Sequence, residues 1–413
     1  MLRRIRAGLT PDIVALCAII FLADVTSGVV SPTFSLFAQS LDVSLAMLGF
    51  LSTIGGLTQL LTSLPLGALS DRIGRTKVLL GGLGTFAAAL VVMAAAHGLP
   101  LLLASRILMG AAVVGTFQIG AAHLGDITVP EQRPFAFGLY ATAMGSGFTV
   151  GPLLGSQLAQ YQSPRVAYLV GAAISLVGLA VAWRIHRARE AIAPGAGRPS
   201  ALRNVREVLA HRSLMLVSFG NLLVSLTFAG AITTFFPIYG VQVSLTQAAI
   251  GTIFAVRALV STLGRLPNGI ISRYFGHQAV MLAALGLDAI VMFWMAHVTD
   301  VRLLTVLVAI EGLAFGAYLV SGQTYVADRT AVENRGAAVG VYSTASSIGG
   351  TAGPLALGII AGTLGVARVF TATGITLAVG FALFLAATLA LRRQGPVSRV
   401  GSSLLQPPRS EAR

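Results

Sequence analysis

Charged residues are scarce in this 413-residue chain. Asp, Glu, Lys and Arg together make up 10% of it, whereas hydrophobic residues make up 55%. A soluble globular protein carries about a quarter charged residues, because it needs them to cover its surface. The composition therefore argues against a soluble fold and indicates that most of the chain faces lipid.

Cysteine and ligand-like clusters are also lacking. Cys17 is the only cysteine, so a disulfide within the chain is excluded, and the six histidines are scattered without metal-ligand spacing. No G-x-x-x-x-G-K-S/T loop occurs, so ATP is not expected to be the direct energy source. We predict no metal and no cofactor, and the absence of clustered nucleophiles and bases argues against a membrane-embedded enzyme.

Acidic residues are half as frequent as basic ones, which leaves a net charge of +14. Such a charge would suit a nucleic-acid partner if the basic residues formed one face of a folded domain. They lie instead between long apolar runs, which is typical of a membrane protein with basic cytoplasmic loops. We therefore predict that this chain lies in a lipid bilayer and that it does not bind nucleic acid.

Twelve apolar runs are long enough to cross a bilayer, whose hydrocarbon core of about 30 Å needs roughly 20 residues of helix. They predict an all-α membrane protein with spans at 13–38, 45–70, 78–96, 99–123, 135–160, 166–184, 213–239, 246–272, 279–297, 302–326, 336–362 and 367–391. If the N-terminus is cytoplasmic, 22 of the 28 Lys and Arg residues lie on the cytoplasmic side, 3 lie in outside loops and the other 3 lie within spans. Both termini are therefore predicted to be cytoplasmic, in a multi-pass protein of the inner membrane.

The chain repeats itself with a shift of 202 residues. This shift places Pro65, Gly67, Ser70 and Gly74 on Pro267, Gly269, Ser272 and Gly276, and it also aligns Asp126 with Asp328 and Gly151-Pro152 with Gly353-Pro354. The repeat predicts two pseudo-symmetric six-helix bundles with a site between them near the membrane midplane. The predicted organisation is a first bundle over 1–184, a basic linker over 185–212, a second bundle over 213–391 and a basic tail over 392–413.

The turn between spans 2 and 3 reads GALSDRIGRTK, from Gly67 to Lys77. It resembles the G-x-x-x-D-R-x-G-R-K/R loop of the major facilitator superfamily. By this resemblance Asp71 faces the N-terminus of span 11 in the outward-open state, where a helix dipole favours an anion. Either Arg72 or Arg75 would pair with Asp126, and both contacts would exist only in the outward-open state. Gly67 and Gly74 would permit the tight turn. We interpret these residues as a conformational latch; ordinary positive-inside topology explains the basic residues but not Asp71.

Two further segments carry the resemblance. Span 4 contains LLLASRILMG, which resembles the L-x-x-x-R-x-x-x-G segment of the superfamily around Arg106. Span 5 contains GFTVGPLLG, which resembles the antiporter pattern G-x-x-x-G-P-x-x-G-G, although Ser156 replaces its last glycine. Gly147, Gly151 and Gly155 recur every four residues, so they share a helix face that a neighbour can approach closely, and Pro152 favours a bend.

Five charged residues lie well inside predicted spans, where each costs at least about 2.5–3.5 kcal/mol on insertion scales. They are candidates for proton coupling or for the substrate cavity: Asp24, Arg106, Arg257, Asp288 and Glu311. Asp24 and Asp288 resemble acids of the tetracycline-exporter kind of antiporter, and Asp24 is the leading candidate for the proton site. Arg257 and Glu311 either pair with each other or bind a charged substrate. Arg265, nearer the end of span 8, is expected to snorkel.

These features predict a secondary transporter of the major facilitator fold. Its expected activity is export of a small organic compound in exchange for protons, by a monomer. A cavity lined by apolar residues of spans 1, 2 and 7 would suit amphipathic or cationic compounds; the candidates are Phe21, Phe34, Gln59, Phe228, Phe235, Phe236 and Tyr239. The alternatives are an importer or facilitator of a sugar, organic acid or other nutrient on the same fold, and a receptor that no longer transports.

Overall fold

The computed structural model describes residues 10–129, 132–187, 208–330 and 334–393. Within these ranges the chain forms twelve long helical units, numbered to match the predicted spans: α1 (Pro11–Gln39), α2 (Leu45–Ile73), α3 (Arg75–Ala94), α4 (Leu99–Ile127), α5 (Arg133–Tyr161), α6 (Pro164–Arg187), α7 (Arg212–Gln242), α8 (Gln247–Phe275), α9 (His277–Met295), α10 (Val301–Asp328), α11 (Arg335–Leu364) and α12 (Val366–Arg393). The predicted fold class is confirmed. Residues 188–207 of the predicted linker and 394–413 of the predicted tail lie outside the described residues.

Eleven of these helices are long and apolar enough to cross a membrane. The remaining one, α5, has the same length as α2 but carries far fewer leucine and isoleucine residues. It packs between α1 on one side and α8 on the other. A helix that is covered by protein on two sides needs less apolar surface, since less of it meets lipid.

Polar caps and glycines set where the helices begin and end. The Ser44 hydroxyl accepts the amide of Met47 at the start of α2, and Thr246 accepts the amide of Ala249 at the start of α8. Gly74 and Gly276 end α2 and α8 with φ of +96° and +84°, which only glycine adopts readily. Each of these pairs is related by the 202-residue shift, so the repeat in sequence is a repeat in structure.

Two helices depart from regular α geometry. Residues Val114–Gln118 of α4 and Thr227–Phe235 of α7 form wider, π-helical turns. A widened turn leaves backbone groups without their usual partners, and such turns are frequent at functional sites. In addition, α1 is interrupted between Val30 and Phe34, where the Thr33 hydroxyl donates to the Val29 carbonyl at 2.8 Å.

The glycines of the predicted antiporter segment bring α5 against α1. A β-carbon on Gly147 would lie 2.6 Å from the Phe21 carbonyl oxygen, and one on Gly151 would lie 2.7 Å from the Gly28 α-carbon. One on Gly155 would lie 2.7 Å from the Val29 α-carbon. These separations are too short for any side chain, so the glycine face allows the two backbones to touch.

The same α5 segment also faces the second half of the chain. A β-carbon on Gly251 of α8 would meet the Pro152 carbonyl oxygen at 2.6 Å. The pseudo-symmetric contact joins Gly49 of α2 to Pro354 and Gly358 of α11. The two halves therefore meet through two matching, backbone-close seams, α5 with α8 and α2 with α11.

These seams are closed at one end of the molecule and open at the other. Near the chain turns at Asp42 and Ser244, the Thr53 hydroxyl donates to the Thr351 carbonyl at 2.8 Å. Toward the end that holds the α2–α3 and α8–α9 turns, here called the basic end, β-carbons on Gly67, Gly269 and Gly340 would meet nothing within 4 Å. Leu64 and Tyr274 are 84% and 83% exposed there. From these open positions we infer a cleft between the halves at the basic end.

The glycine face provides a first test of this packing. Replacing Gly151 with leucine should force α1 and α5 apart and destabilise the fold by about 1–3 kcal/mol or more through overpacking. Gly138 lies on the same helix, and a β-carbon there would meet nothing within 4 Å. Thermal unfolding in detergent should therefore show a lower midpoint for Gly151→Leu than for Gly138→Leu. Equal midpoints would contradict the close contact.

Candidate functional site

A buried ion pair occupies the second half of the chain. Arg257 of α8 and Glu311 of α10 are 3% and 0% exposed, and the Arg257 Nη2 atom donates to Glu311 Oε1 at 2.7 Å. The Nε atom donates to the other carboxylate oxygen, so the contact is bidentate. Of the two sequence-based alternatives for these residues, the structure shows the pair.

Aromatic rings surround this pair. The Arg257 guanidinium carbon lies 4.4 Å from the ring centre of Phe228 and 5.0 Å from that of Phe315. Phe228 also makes an edge contact with Phe148 of α5, on the other half of the molecule. The π faces favour the cation and exclude water from it, so the pair is held in an apolar shell that spans both halves.

Asp288 lies beside this pair without being neutralised by it. It is 1% exposed on α9, and its Oδ1 atom has no hydrogen-bond partner among the described residues. The negative charge of Glu311 and the positive charge of Arg257 both act on it. The cluster of Arg257, Glu311 and Asp288 therefore contains one more carboxylate than it contains cations.

Asp24 lies at the contact between α1 and α5. It is 7% exposed, and a β-carbon on Gly147 would lie 2.8 Å from the Asp24 β-carbon. Its carboxylate is next to the backbone of Phe148. Among the described residues no basic side chain is within ion-pair distance of it, so the carboxylate is buried without a direct counter-charge.

Arg106 is an unpaired cation in the first half. Its guanidinium carbon lies 3.6 Å above the ring of Phe34, and Nη2 donates to the Ser52 hydroxyl at 3.4 Å. Its Nε atom is buried without a partner, and the part of the chain that the structure describes offers it no carboxylate within 4 Å. The Ser52 hydroxyl also accepts a hydrogen bond from the Thr234 hydroxyl of α7 at 3.4 Å. Through Ser52, Arg106 is therefore connected to the second half of the chain.

The loop at the basic end forms its own charge network. Arg75 bridges Asp71 at 2.9 Å and Asp126 at 2.5 Å, and it also donates to the Ser70 hydroxyl. Of the two candidates for the partner of Asp126, the structure therefore uses Arg75, while Arg72 is exposed. The pair is present although the basic end is open, so the expectation that it is confined to the outward-open state is wrong. Because the cleft is open at this end, the predicted contact of Asp71 with α11 is not one that this state would make, and it stays a prediction.

Several residues of the predicted apolar lining are buried, and their place in a cavity stays a prediction. Phe34, Phe235, Phe236 and Tyr239 are buried in the protein core, and the Tyr239 hydroxyl donates to the Val298 carbonyl. Phe228 remains partly exposed next to Arg257, as an aromatic that meets both the pair and the space between the halves.

A family model described as the Major Facilitator Superfamily matches residues 16–246 and again residues 218–410. The chain belongs to the major facilitator superfamily. The tetracycline resistance protein, class C, of Escherichia coli is 28% identical over 376 residues, which cover 86% of this chain and 89% of that protein. The multidrug resistance protein MdtG of Yersinia enterocolitica is 26% identical over 373 residues, which cover 86% and 87% of the two chains.

Solved structures of the superfamily share the fold. A bacterial homologue of the human lysosomal transporter Spinster, in an inward-facing and unoccupied conformation, has a TM-score of 0.79 at 17% identity and covers 92% of this chain and 97% of its own. The nucleoside transporter NupG has a TM-score of 0.76 at 16% identity, with coverage of 92% and 99%. The chain is therefore a multi-pass membrane transporter, and the resemblance seen in its motifs is confirmed.

The sequence analysis did not anticipate how one charged residue, Arg265, is placed in the structure. Arg265 was expected to snorkel from the end of α8, and its partial exposure is compatible with this, but the sequence did not indicate that its charge also acts on Asp24. A signal was present: Arg265 follows Arg257 by eight residues, about two helical turns, which places both on one face of α8. The shared face indicates that Arg265 points inward like Arg257.

The buried pair yields a prediction about stability. Replacing Arg257 with methionine leaves the Glu311 carboxylate buried and unpaired, which should cost about 3–5 kcal/mol. The double variant Arg257→Met/Glu311→Met removes both charges and should recover much of that loss. Thermal unfolding of the two single variants and the double variant measures the coupling. Losses that simply add would contradict a closed pair.

Proposed function

We propose that this transporter exports a small organic compound in exchange for protons, and that Asp24 is the residue the two share. The observation that carries the proposal is the position of Asp24: a buried carboxylate without a direct counter-charge, on the backbone contact between α1 and the glycine face of α5. A carboxylate in such a place is stabilised by binding either a proton or a cationic group. Proton and substrate then compete for one site, which is the simplest scheme for antiport.

The relatives support the direction and the compound class. They include proteins named for resistance to tetracycline, to quinolones and to multiple drugs, from several bacteria. A transporter provides resistance of this kind by moving the compound out of the cell, so these names favour export. A structural neighbour named as a nucleoside transporter shares only the fold, so import of a nutrient is kept as the competing outcome of the tests.

The cleft supports alternating access. It opens at the basic end, and the excess of Lys and Arg at that end supports a cytoplasmic position for it in a bacterial inner membrane, with both termini inside. On this proposal the described state is inward-open. In the outward-open state the seams close at the basic end, and Asp71 moves to the N-terminus of α11 while Arg75 continues to hold Asp126.

The sources of energy and the assembly follow from the same features. A proton moving across a potential of about 100 mV provides about 2.3 kcal/mol, before any contribution from a pH difference.

The glycine seams join the two halves of one chain, so the transport pathway lies within a monomer. The charges available to the pathway are those of Asp24, Arg106 and the cluster around Arg257.

Asp24→Asn tests the proposal. The amide imitates the protonated carboxylate permanently, so proton-driven efflux should be lost, and substrate affinity should weaken and no longer vary with pH. Affinity and proton release on substrate addition are measured for the wild type and the variant. Asp42→Asn, at an exposed turn just after the same helix, is the matched control and should behave as the wild type. If Asp24→Asn still releases protons and still pumps, Asp24 is structural and the proton site lies with Asp288 or Glu311.

A further inference from the structure

Two arginines within the spans present the same edge of the guanidinium group to different surroundings. In Arg257 this edge consists of the Nε and Nη2 atoms, and both donate to the carboxylate of Glu311. In Arg106 the Nε atom has no hydrogen-bond partner among the described residues, and Nη2 donates to the Ser52 hydroxyl at a long 3.4 Å. Arg106 therefore keeps available the edge with which Arg257 holds a carboxylate.

The other contacts of Arg106 do not neutralise its charge. The Phe34 ring lies 3.6 Å from the guanidinium carbon and covers one face of the group, which leaves its edges for hydrogen bonds. The Nη1 atom contacts the Met109 sulfur, a weak acceptor, at 3.9 Å. A cation that is largely buried with unused donors is unfavourable, and a carboxylate supplies both the counter-charge and two strong acceptors.

A second buried donor near Arg106 also lacks a partner. Tyr168 of α6 is 0% exposed, and its hydroxyl makes no hydrogen bond within the described residues. Thr33, the neighbour of Phe34, lies near this hydroxyl but donates its own proton to the Val29 carbonyl at 2.8 Å. The charge of Arg106 acts on Tyr168 as well. The two unused donors therefore lie in one polar region between α1, α4 and α6, here called the Arg106 site.

The second half of the chain shows that the fold does not need these polar groups. The 202-residue shift gives each of them an apolar counterpart: Val308 for Arg106, Phe254 for Ser52 and Phe370 for Tyr168. All three counterparts are 0% exposed. The packing around them is similar, because the ring centres of Phe37 and Tyr168 lie 5.3 Å apart and those of their counterparts lie 5.1 Å apart. Apolar side chains are thus compatible with this place in the fold, so the polar groups of the first half have a different use.

The Arg106 site lies beside the contact between the two halves. Arg106 is partly exposed, and its partner Ser52 also accepts a hydrogen bond from Thr234 of the second half. The next residue of α2, Thr53, donates to the Thr351 carbonyl in the closed part of the seam. Arg106 is therefore at the closed end of the cleft, where a compound that has entered between the halves is in contact with both.

We propose that Arg106 binds a carboxylate of the transported compound through its Nε and Nη2 atoms, with the hydroxyls of Ser52 and Tyr168 as further donors. The compound then carries an acidic group in addition to the cationic group that competes with the proton at Asp24, so it is amphoteric. The inference rests on the proposed function, because it names the class of compound that this function moves. The anion site itself does not depend on proton coupling, so the two are tested separately.

Matched pairs of small compounds test the site. Each pair is an acid and its uncharged amide of nearly the same shape: benzoate with benzamide, and 4-(aminomethyl)benzoate with 4-(aminomethyl)benzamide. Thermal unfolding of the full-length protein is measured in detergent and low-salt buffer at rising concentrations of each compound. The acids should raise the unfolding midpoint at concentrations about tenfold or more below those that the amides require, since the amides do not neutralise Arg106.

Variants separate a binding role from a structural one. Arg106→Gln should abolish the preference for the acids, and Arg106→Lys, which keeps the charge but loses the two-donor edge, should weaken it. The double variant Arg106→Val/Ser52→Phe copies the side chains of the second half, so it should fold and show no preference. Arg165→Gln is the matched control: Arg165 belongs to the same half, but it donates to the carbonyls of Ala94 and Ala96, and its loss should leave the preference for acids unchanged.

Each other outcome overturns either this inference or the proposed function. A wild type without a preference for acids, or an Arg106→Gln protein that keeps it, would overturn the inference. So would an equal, Arg106-dependent rise with sodium chloride, because the site would then take a free inorganic anion. If Arg106→Gln and Arg106→Val/Ser52→Phe both fail to fold, the guanidinium is structural and the inference fails as well. A preference that requires Arg106, in a protein whose Asp24→Asn variant still pumps and releases protons, would support the anion site and contradict the proposed function.

Discussion

Charge within the apolar interior is the constraint on which this transporter depends. Every ionised group there is unfavourable unless it is paired or has a use in another state. The second half satisfies the constraint with Arg257 and Glu311, which bond bidentately inside a shell of phenylalanine rings. The first half leaves Asp24 and Arg106 without direct counter-charges. This asymmetry, rather than the overall architecture, is what makes the first half the proposed site of exchange.

Comparing the two repeated halves shows that they differ in their buried charges. Both halves use the same backbone-close seams, in which Gly251 meets Pro152 as Gly49 meets Pro354. The intramembrane charges break the repeat, because the 202-residue shift places each of them opposite an uncharged residue: Asp24 and Leu226, Arg106 and Val308, Arg257 and Gly55, Arg265 and Ser63, Asp288 and Phe86, Glu311 and Met109. The symmetric part of the sequence forms the two seams between the halves, and the departures from symmetry carry the charges within the spans.

The sequence predicts the fold well because membrane helices are long, apolar and bounded by caps and glycines that can be read directly. It also predicts that Arg257 and Glu311 are able to pair, and that the glycines of α5 share one face. It does not predict which partner that face touches, since α1 and α8 are both available until the chain is folded. It misses Arg265 because hydropathy alone does not distinguish an inward arginine from one that reaches the interface.

Transport under opposite pH gradients tests the central claim most directly. A thermal-shift screen of drugs, metabolites and sugars first identifies a compound that stabilises the purified protein. Transport of that compound is then measured in proteoliposomes that contain the wild-type transporter. The account predicts that the compound moves against its own gradient, in the direction opposite to the protons, and that reversing the pH gradient reverses the movement. Movement of the compound in the same direction as the protons, or at a rate that does not depend on the gradient, would contradict proton-coupled export.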